Sequence, residues 1–99
     1  MPKKNFYIEI HPGEILRGIL EDANVSQAEL SRALGCPRKV ISEICTEVRG
    51  ISAEMAFKLG KAFGQSPEFW VNAQKNWEMA KVDKNITKRV HALRGVKAA

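Results

Sequence analysis

Arg38, Lys39, Ser42, Glu43 and Thr46 are the polar residues of one short stretch whose other positions are mostly apolar. If Pro37 to Thr46 is a helix, Arg38, Ser42 and Cys45 or Thr46 recur at i, i+4 and i+7 or i+8, so one face presents them together. Such a face does its chemistry by hydrogen bonding and charge, and a helix of this kind fits the major groove of DNA. Bond-making chemistry finds no support. The chain has no glycine-rich phosphate loop, no G-x-S-x-G and no paired His, Cys and carboxylate cluster. We therefore expect no enzyme, no cofactor and no metal site. His11 is read as a helix cap or an exposed residue. Cys36 and Cys45 have no C-x-x-C spacing and no histidine nearby, and are expected to be buried free thiols.

The elements that must hold this face are legible around it. Ser26 and Glu29 form an S-x-x-E capping box, with Val25 and Leu30 as its hydrophobic staple, so a helix is expected from Ser26 to Leu34. Gly35 suits the left-handed residue that ends it, and Pro37 suits the first position of the next helix. Leu30, Ala33 and Leu34 form one inward stripe, with Ala33 small enough for a close crossing. Val40 or Ile41, with Ile44 and Cys45, forms the other. Two short helices joined by a tight turn are the pattern of a helix-turn-helix DNA reader. An α-hairpin that binds no DNA has the same spacing.

The 99 residues fit one domain, and 44% hydrophobic with 27% charged residues is ordinary for a globular protein. No apolar run reaches the ~20 residues of a membrane span, and the first residues lack a signal-peptide core, so a cytoplasmic protein is expected. The net charge of +5 is unevenly placed. Residues 1–80 carry ten basic and ten acidic side chains, whereas residues 81–99 carry six basic and one acidic. The body is neutral, so DNA contacts there depend on local placement of Arg and Lys.

Taken in order, residues 1–10 read as an extended arm with Phe6, Tyr7 and Ile8. His11-Pro12-Gly13-Glu14 opens a helix in which Ile15, Leu16, Ile19, Leu20 and Ala23 form the apolar stripe, stopped by Asn24. Ser52 caps a helix from Ala53 to Phe63 with Met55, Ala56, Leu59, Ala62 and Phe63 inward, ended by Gly64. Ser66-Pro67-Glu68 opens the last strong helix, which runs to about Val82. Phe69, Trp70, Ala73 and Trp77 on that helix are read either as core or as the seam of a dimer. Residues 83–99 form a basic tail. Ile86, Val90 and Leu93 allow a short helix from Thr87 to about Arg94, and a solvated tail is the alternative. The expected organisation is an arm at 1–10, a domain at 11–82 and the tail at 83–99.

The stretch Ile10-His11-Pro12-Gly13-Glu14-Ile15-Leu16 resembles the opening of HigA-type, or VapI-like, antitoxins. The likeness continues in order through Ser26-Gln27-Ala28-Glu29-Leu30, Ile41-Ser42-Glu43-Ile44, Arg49-Gly50-Ile51-Ser52 and Ser66-Pro67-Glu68-Phe69-Trp70. It implies an all-α, five-helix, lambda-repressor-like helix-turn-helix domain of the Xre family, dimeric and bound to double-stranded operator DNA with an inverted repeat. It further implies an antitoxin that represses its own operon and neutralises a RelE-like, mRNA-cleaving toxin. Carried over by position, Gln27 meets a phosphate, Arg38, Lys39 and Glu43 face base edges, and Ser42 and Thr46 meet the backbone or a base. Arg49 lies in a matching segment and joins this DNA-binding set.

The chain departs from the family at Val40, where a polar residue is common, and at Thr46-Glu47-Val48, where Asn-Gly followed by Lys is usual. A solitary regulator without a toxin, and a protein-binding module with decayed DNA binding, are the competing readings. The acidic surface of Glu9, Glu14, Glu21 and Asp22 beside Phe6, Tyr7 and Ile8 suits a basic toxin. A core-covering arm beside a solvated acidic face is the alternative.

Overall fold

The computed structural model describes residues 9–97, and the expectations for Phe6, Tyr7 and Ile8 lie outside the described residues. Five α-helices make up the body: α1 (Pro12–Ala23), α2 (Gln27–Leu34), α3 (Arg38–Cys45), α4 (Ala53–Phe63) and α5 (Pro67–Lys81). No strand occurs among the described residues.

Each helix begins and ends where its chemistry places it. The Ser26 hydroxyl accepts from the backbone N–H of Glu29 at 3.0 Å, and Glu29 Oε1 accepts from the Ser26 N–H at 2.9 Å. Both halves of the capping box are thus made, and they hold the Glu29 carboxyl below its ordinary range. Ser52 caps α4 in the same way. Asn24, Gly35 and Gly64 end α1, α2 and α4 at φ of 55°, 68° and 69°, the left-handed geometry that closes a helix. Ser66 has the extended N-cap conformation, but its hydroxyl makes no capping bond. Pro37 is the N-cap of α3 and not its first helical residue.

The core joins Leu16 and Leu20 of α1, Leu30 and Leu34 of α2, Ile41, Ile44 and Cys45 of α3, Met55, Ala56 and Leu59 of α4, and Trp70 of α5. Fully burying such a side chain contributes roughly 1.5–3 kcal/mol. Trp70 has no exposed surface, and its Nε1–H donates to Gln65 Oε1 at 2.8 Å. It is therefore a core residue and is removed from the expected dimer seam. Its neighbour Phe69 points outward and meets it edge to face at 5.2 Å.

Three alanines were expected inside and lie outside, the first of them Ala23 at the end of α1. Ala33 is exposed, and the buried position on α2 belongs to Ser31, whose hydroxyl donates to the Ala28 carbonyl at 2.8 Å. Ala62 is exposed, and Gly60 is buried in its place. A Cβ on Gly60 would come within 2.7 Å of the Gln65 carbonyl, so glycine permits the tight α4–α5 corner. Of the two free thiols, Cys45 is buried and Cys36 only half-buried. Beyond α5 the tail makes one 3₁₀ turn (Lys84–Thr87), and the helix from Thr87 to Arg94 does not form.

Candidate nucleic-acid interface

The α2–turn–α3 unit and the residues after it leave all the sequence-selected polar residues at least partly open to solvent. Ile41, Ile44 and Cys45 anchor α3 from within, which turns Arg38, Lys39 and Thr46 to solvent and leaves Ser42 and Glu43 half-buried. Cys45 drops out as an alternative on the outer face, and Thr46 continues it. Gln27 is the first residue of α2, at the same end as the capping box. The Thr46 hydroxyl is turned back on its own helix, donating to the Ser42 carbonyl at 3.0 Å.

The start of α3 differs electrically from the other four helices. α1, α2, α4 and α5 each carry a glutamate in the first turn, namely Glu14, Glu29, Glu54 and Glu68. α3 carries none, and Arg38 and Lys39 stand there instead, behind a proline that supplies no side-chain cap. Cations at a helix N-terminus oppose the helix dipole and cost stability. Neither side chain has an ion pair among the described residues. Their placement makes sense if an anion meets this end of α3.

Farther along, two of the selected residues engage each other. Arg49 Nε and Nη2 both donate to Glu43 Oε1, at 2.9 and 2.6 Å. The pair neutralises one cation on this face, so Arg38 and Lys39 carry its free positive charge.

α3 ends in a Schellman motif. The N–H of Glu47 donates to the Ile44 carbonyl at 3.0 Å, and that of Val48 to the Glu43 carbonyl at 2.9 Å. Glu47 has the left-handed φ of 67° that glycine or asparagine adopts more easily. The departure at this position therefore preserves the helix stop at the cost of local strain.

Sequence reasoning missed what holds this end of α3. Arg17 of α1 donates from Nη1 to the Cys45 carbonyl, and its Nη2 pairs with Glu47 at 3.2 Å. A cation there suits the negative end of the helix. Gly13 lies directly against the Ile44 carbonyl. The His11 ring caps α1, its Nδ1 accepting from the Gly13 N–H at 2.9 Å, and packs edge to face on Trp77 at 4.8 Å. His11 is thus a buried cap, and burial lowers its pKa. From α5, Gln74 Oε1 accepts from the Ile51 N–H at 2.7 Å and steadies the α3–α4 connection. The glycine of the His-Pro-Gly-Glu opening was the available signal, since an interior glycine marks a close backbone approach.

The sequence model of a helix-turn-helix family matches residues 16–70, which span α1 to the start of α5. The chain belongs to this helix-turn-helix family. Among its relatives, virulence-associated protein A′ of Dichelobacter nodosus is 38% identical over 84 residues, covering 84% of this chain and 73% of that protein. Solved structures agree over the whole body. PA4674 of Pseudomonas aeruginosa, in complex with its 28 bp operator DNA, superposes with a TM-score of 0.81 at 40% identity, covering 87% of this chain and 100% of that one. The Pseudomonas aeruginosa antitoxin HigA, with the higBA promoter, gives 0.76 at 38% identity, covering 91% and 100%. The resemblance to HigA-type antitoxins and the five-helix, all-α fold therefore both stand. No helix among the described residues is long and apolar enough to cross a membrane.

Proposed function

We propose that this helix-turn-helix protein is a DNA-binding repressor and the antitoxin of a HigBA-like module. It binds an inverted-repeat operator as a homodimer, represses its own operon and neutralises a RelE-like toxin. It works in the cytoplasm and has no enzymatic activity. The observation that carries DNA binding is the start of α3, where exposed Arg38 and Lys39 replace the first-turn acid of every other helix of the body. Two α3 helices of a dimer then enter the major groove one turn apart, about 34 Å. Arg38, Lys39 and Glu43 face base edges, Ser42 and Thr46 meet a base or the backbone, Gln27 meets a phosphate, and Arg49 completes the set while paired with Glu43. Phe69 and Ala73 of α5, with the remaining surface of Trp77, form the dimer seam. Residues 11–82 are the reading domain, between an arm at 1–10 and a basic tail at 83–99.

The operator-bound structure of the similar PA4674 supports the DNA reading, and the similarity to the Pseudomonas aeruginosa antitoxin HigA supports the antitoxin assignment. A mobility-shift and footprinting experiment on the protein's own upstream region tests the DNA reading. Protection of a two-fold symmetric site is expected, and no binding to that region would overturn it. Co-expression with the product of the neighbouring gene tests the toxin reading through recovery of a stable complex. The Glu43–Arg49 pair favours a protein-binding module as the second reading, because it withdraws a cation from the face.

A further inference from the structure

Among the described residues, two surfaces of the body and tail lack partners, and they complement each other. The first is a groove of about 280 Å³ between α1 and α5, lined by Ile10, Ile15, Phe69, Asn72, Ala73 and Asn76. Glu14 and Glu68 are sequence neighbours of Ile15 and Phe69, both exposed and without an ion pair among the described residues. The second is the tail. Ile86, Val90, Leu93 and Val96 are 66–77% exposed, far more than aliphatic side chains with a partner to pack on. Lys84, Lys88, Arg89, Arg94 and Lys97 surround them, none of them ion-paired among the described residues.

Ile86, Val90 and Leu93 are spaced by four and three, so winding 86–94 into a helix puts them on one stripe, and Gly95 already has the left-handed φ of 79° that would end it. An apolar groove between two helices that carry exposed acids thus matches an apolar stripe flanked by bases. The stripe does not cover the groove of its own chain. The tail leaves from the far end of α5 and stays exposed along its length, in a molecule whose longest dimension, 54 Å, is twice the others.

We propose that residues 84–97 are an exchanged arm, which docks in the α1–α5 groove of a second copy of this chain and winds into a helix there. The exchange rests on the dimeric reading above and extends its seam from α5 to the tail. Each dimer then contains two identical arm–groove contacts, and the basic tail serves the protein partner before it serves DNA.

Two full-length variants test this. Ile86→Ser/Val90→Ser/Leu93→Ser removes the stripe but keeps the groove. Asn72→Arg, at an exposed position, places a cation in the groove but keeps the arm. Circular dichroism verifies that both keep the parent's helix content, and Glu68→Lys replaces Asn72→Arg if that variant does not. Sedimentation velocity should show each variant dimerising at least ten-fold more weakly than the parent. A mixture of the two should recover part of the loss, because a mixed dimer contains one intact arm and one intact groove. Variants as dimeric as the parent would overturn the exchange, as would a mixture no tighter than either variant alone. So would a triple-serine variant that loses operator affinity with its dimerisation unchanged. A monomeric parent would overturn the dimeric reading itself.

Discussion

The α-carbon of Gly13 sits so close to the Ile44 carbonyl that a Cβ built on it would overlap that oxygen. The opening of α1 and the last turn of α3 are thus in backbone contact, and the position and tilt of the proposed reading helix depend on a residue far from its own sequence. Gly13→Ala must push the two helices apart. Overpacking of this kind costs about 1–3 kcal/mol, which is roughly 4–8 °C in melting temperature per kcal/mol for a domain of this size. Thermal unfolding checks the stability, and operator titration should show a loss of affinity although Gly13 is a buried residue of α1 and not of α3.

At Glu47 we expect substitution to help. The left-handed conformation costs a non-glycine residue about 1–2 kcal/mol, whereas the exposed ion pair with Arg17 contributes about 0–1 kcal/mol. Glu47→Gly should therefore raise stability by about 0.5–1 kcal/mol. A urea midpoint below the parent's would show that the Arg17 contact outweighs the strain.

The α3 face should separate base reading from phosphate contact. Arg38→Ala should cost about 1–3 kcal/mol and relax preference at one base pair. Gln27→Ala should weaken binding to all sequences alike. Glu43→Gln should release Arg49 and, if Arg49 then reaches a phosphate, steepen the salt dependence by about 0.9. Affinities over a panel of single-base operator variants and several salt concentrations check all three.

Stability should fall in mild acid because of His11. Its Nδ1 must be unprotonated to accept from the Gly13 N–H, and burial holds its pKa below the ordinary 6.5. The unfolded chain takes up a proton near pH 6.5 that the folded chain refuses, so the stability is complete above that value and is lost as the pH falls below it. Glu29 and Glu78, whose pKa values are lowered from 4.5, add their losses only at more acidic pH. His11→Asn keeps a capping acceptor without the titration. The difference in melting temperature between about pH 7.5 and about pH 5.5 should shrink in that variant.

The parts of the fold that obey local rules were legible in the sequence. Ser26 with Glu29, and Asn24, Gly35 and Gly64, each act through neighbours within a few residues, and so the helix limits followed. Facing was harder. α2 and α3 have eight residues each, barely two turns, so the direction of the neighbouring helix, more than periodicity, decides which small residues face inward. Hence Ser31 took the place expected for Ala33, and Gly60 that of Ala62. The adjacent Phe69 and Trp70 pointed to a seam, but α4 and Gln65 supply a closed pocket for the indole. On the candidate site, the polar residues of α3 were readable from spacing alone, and the His11 cap, which acts two residues along the chain, was one of its two readings. The Arg17 and Gly13 supports were not, because they act across more than 25 residues of chain.

The two thiols differ in a way that gives the molecule a native reporter. Cys45 is buried, and its pKa is raised by that burial, so little thiolate forms there. Cys36 is half-buried in the turn just ahead of α3, two residues from Arg38. A maleimide fluorophore will therefore label Cys36 first, without any engineered cysteine. The dye would sit beside the proposed groove-reading helix, where the approach of a duplex changes its surroundings.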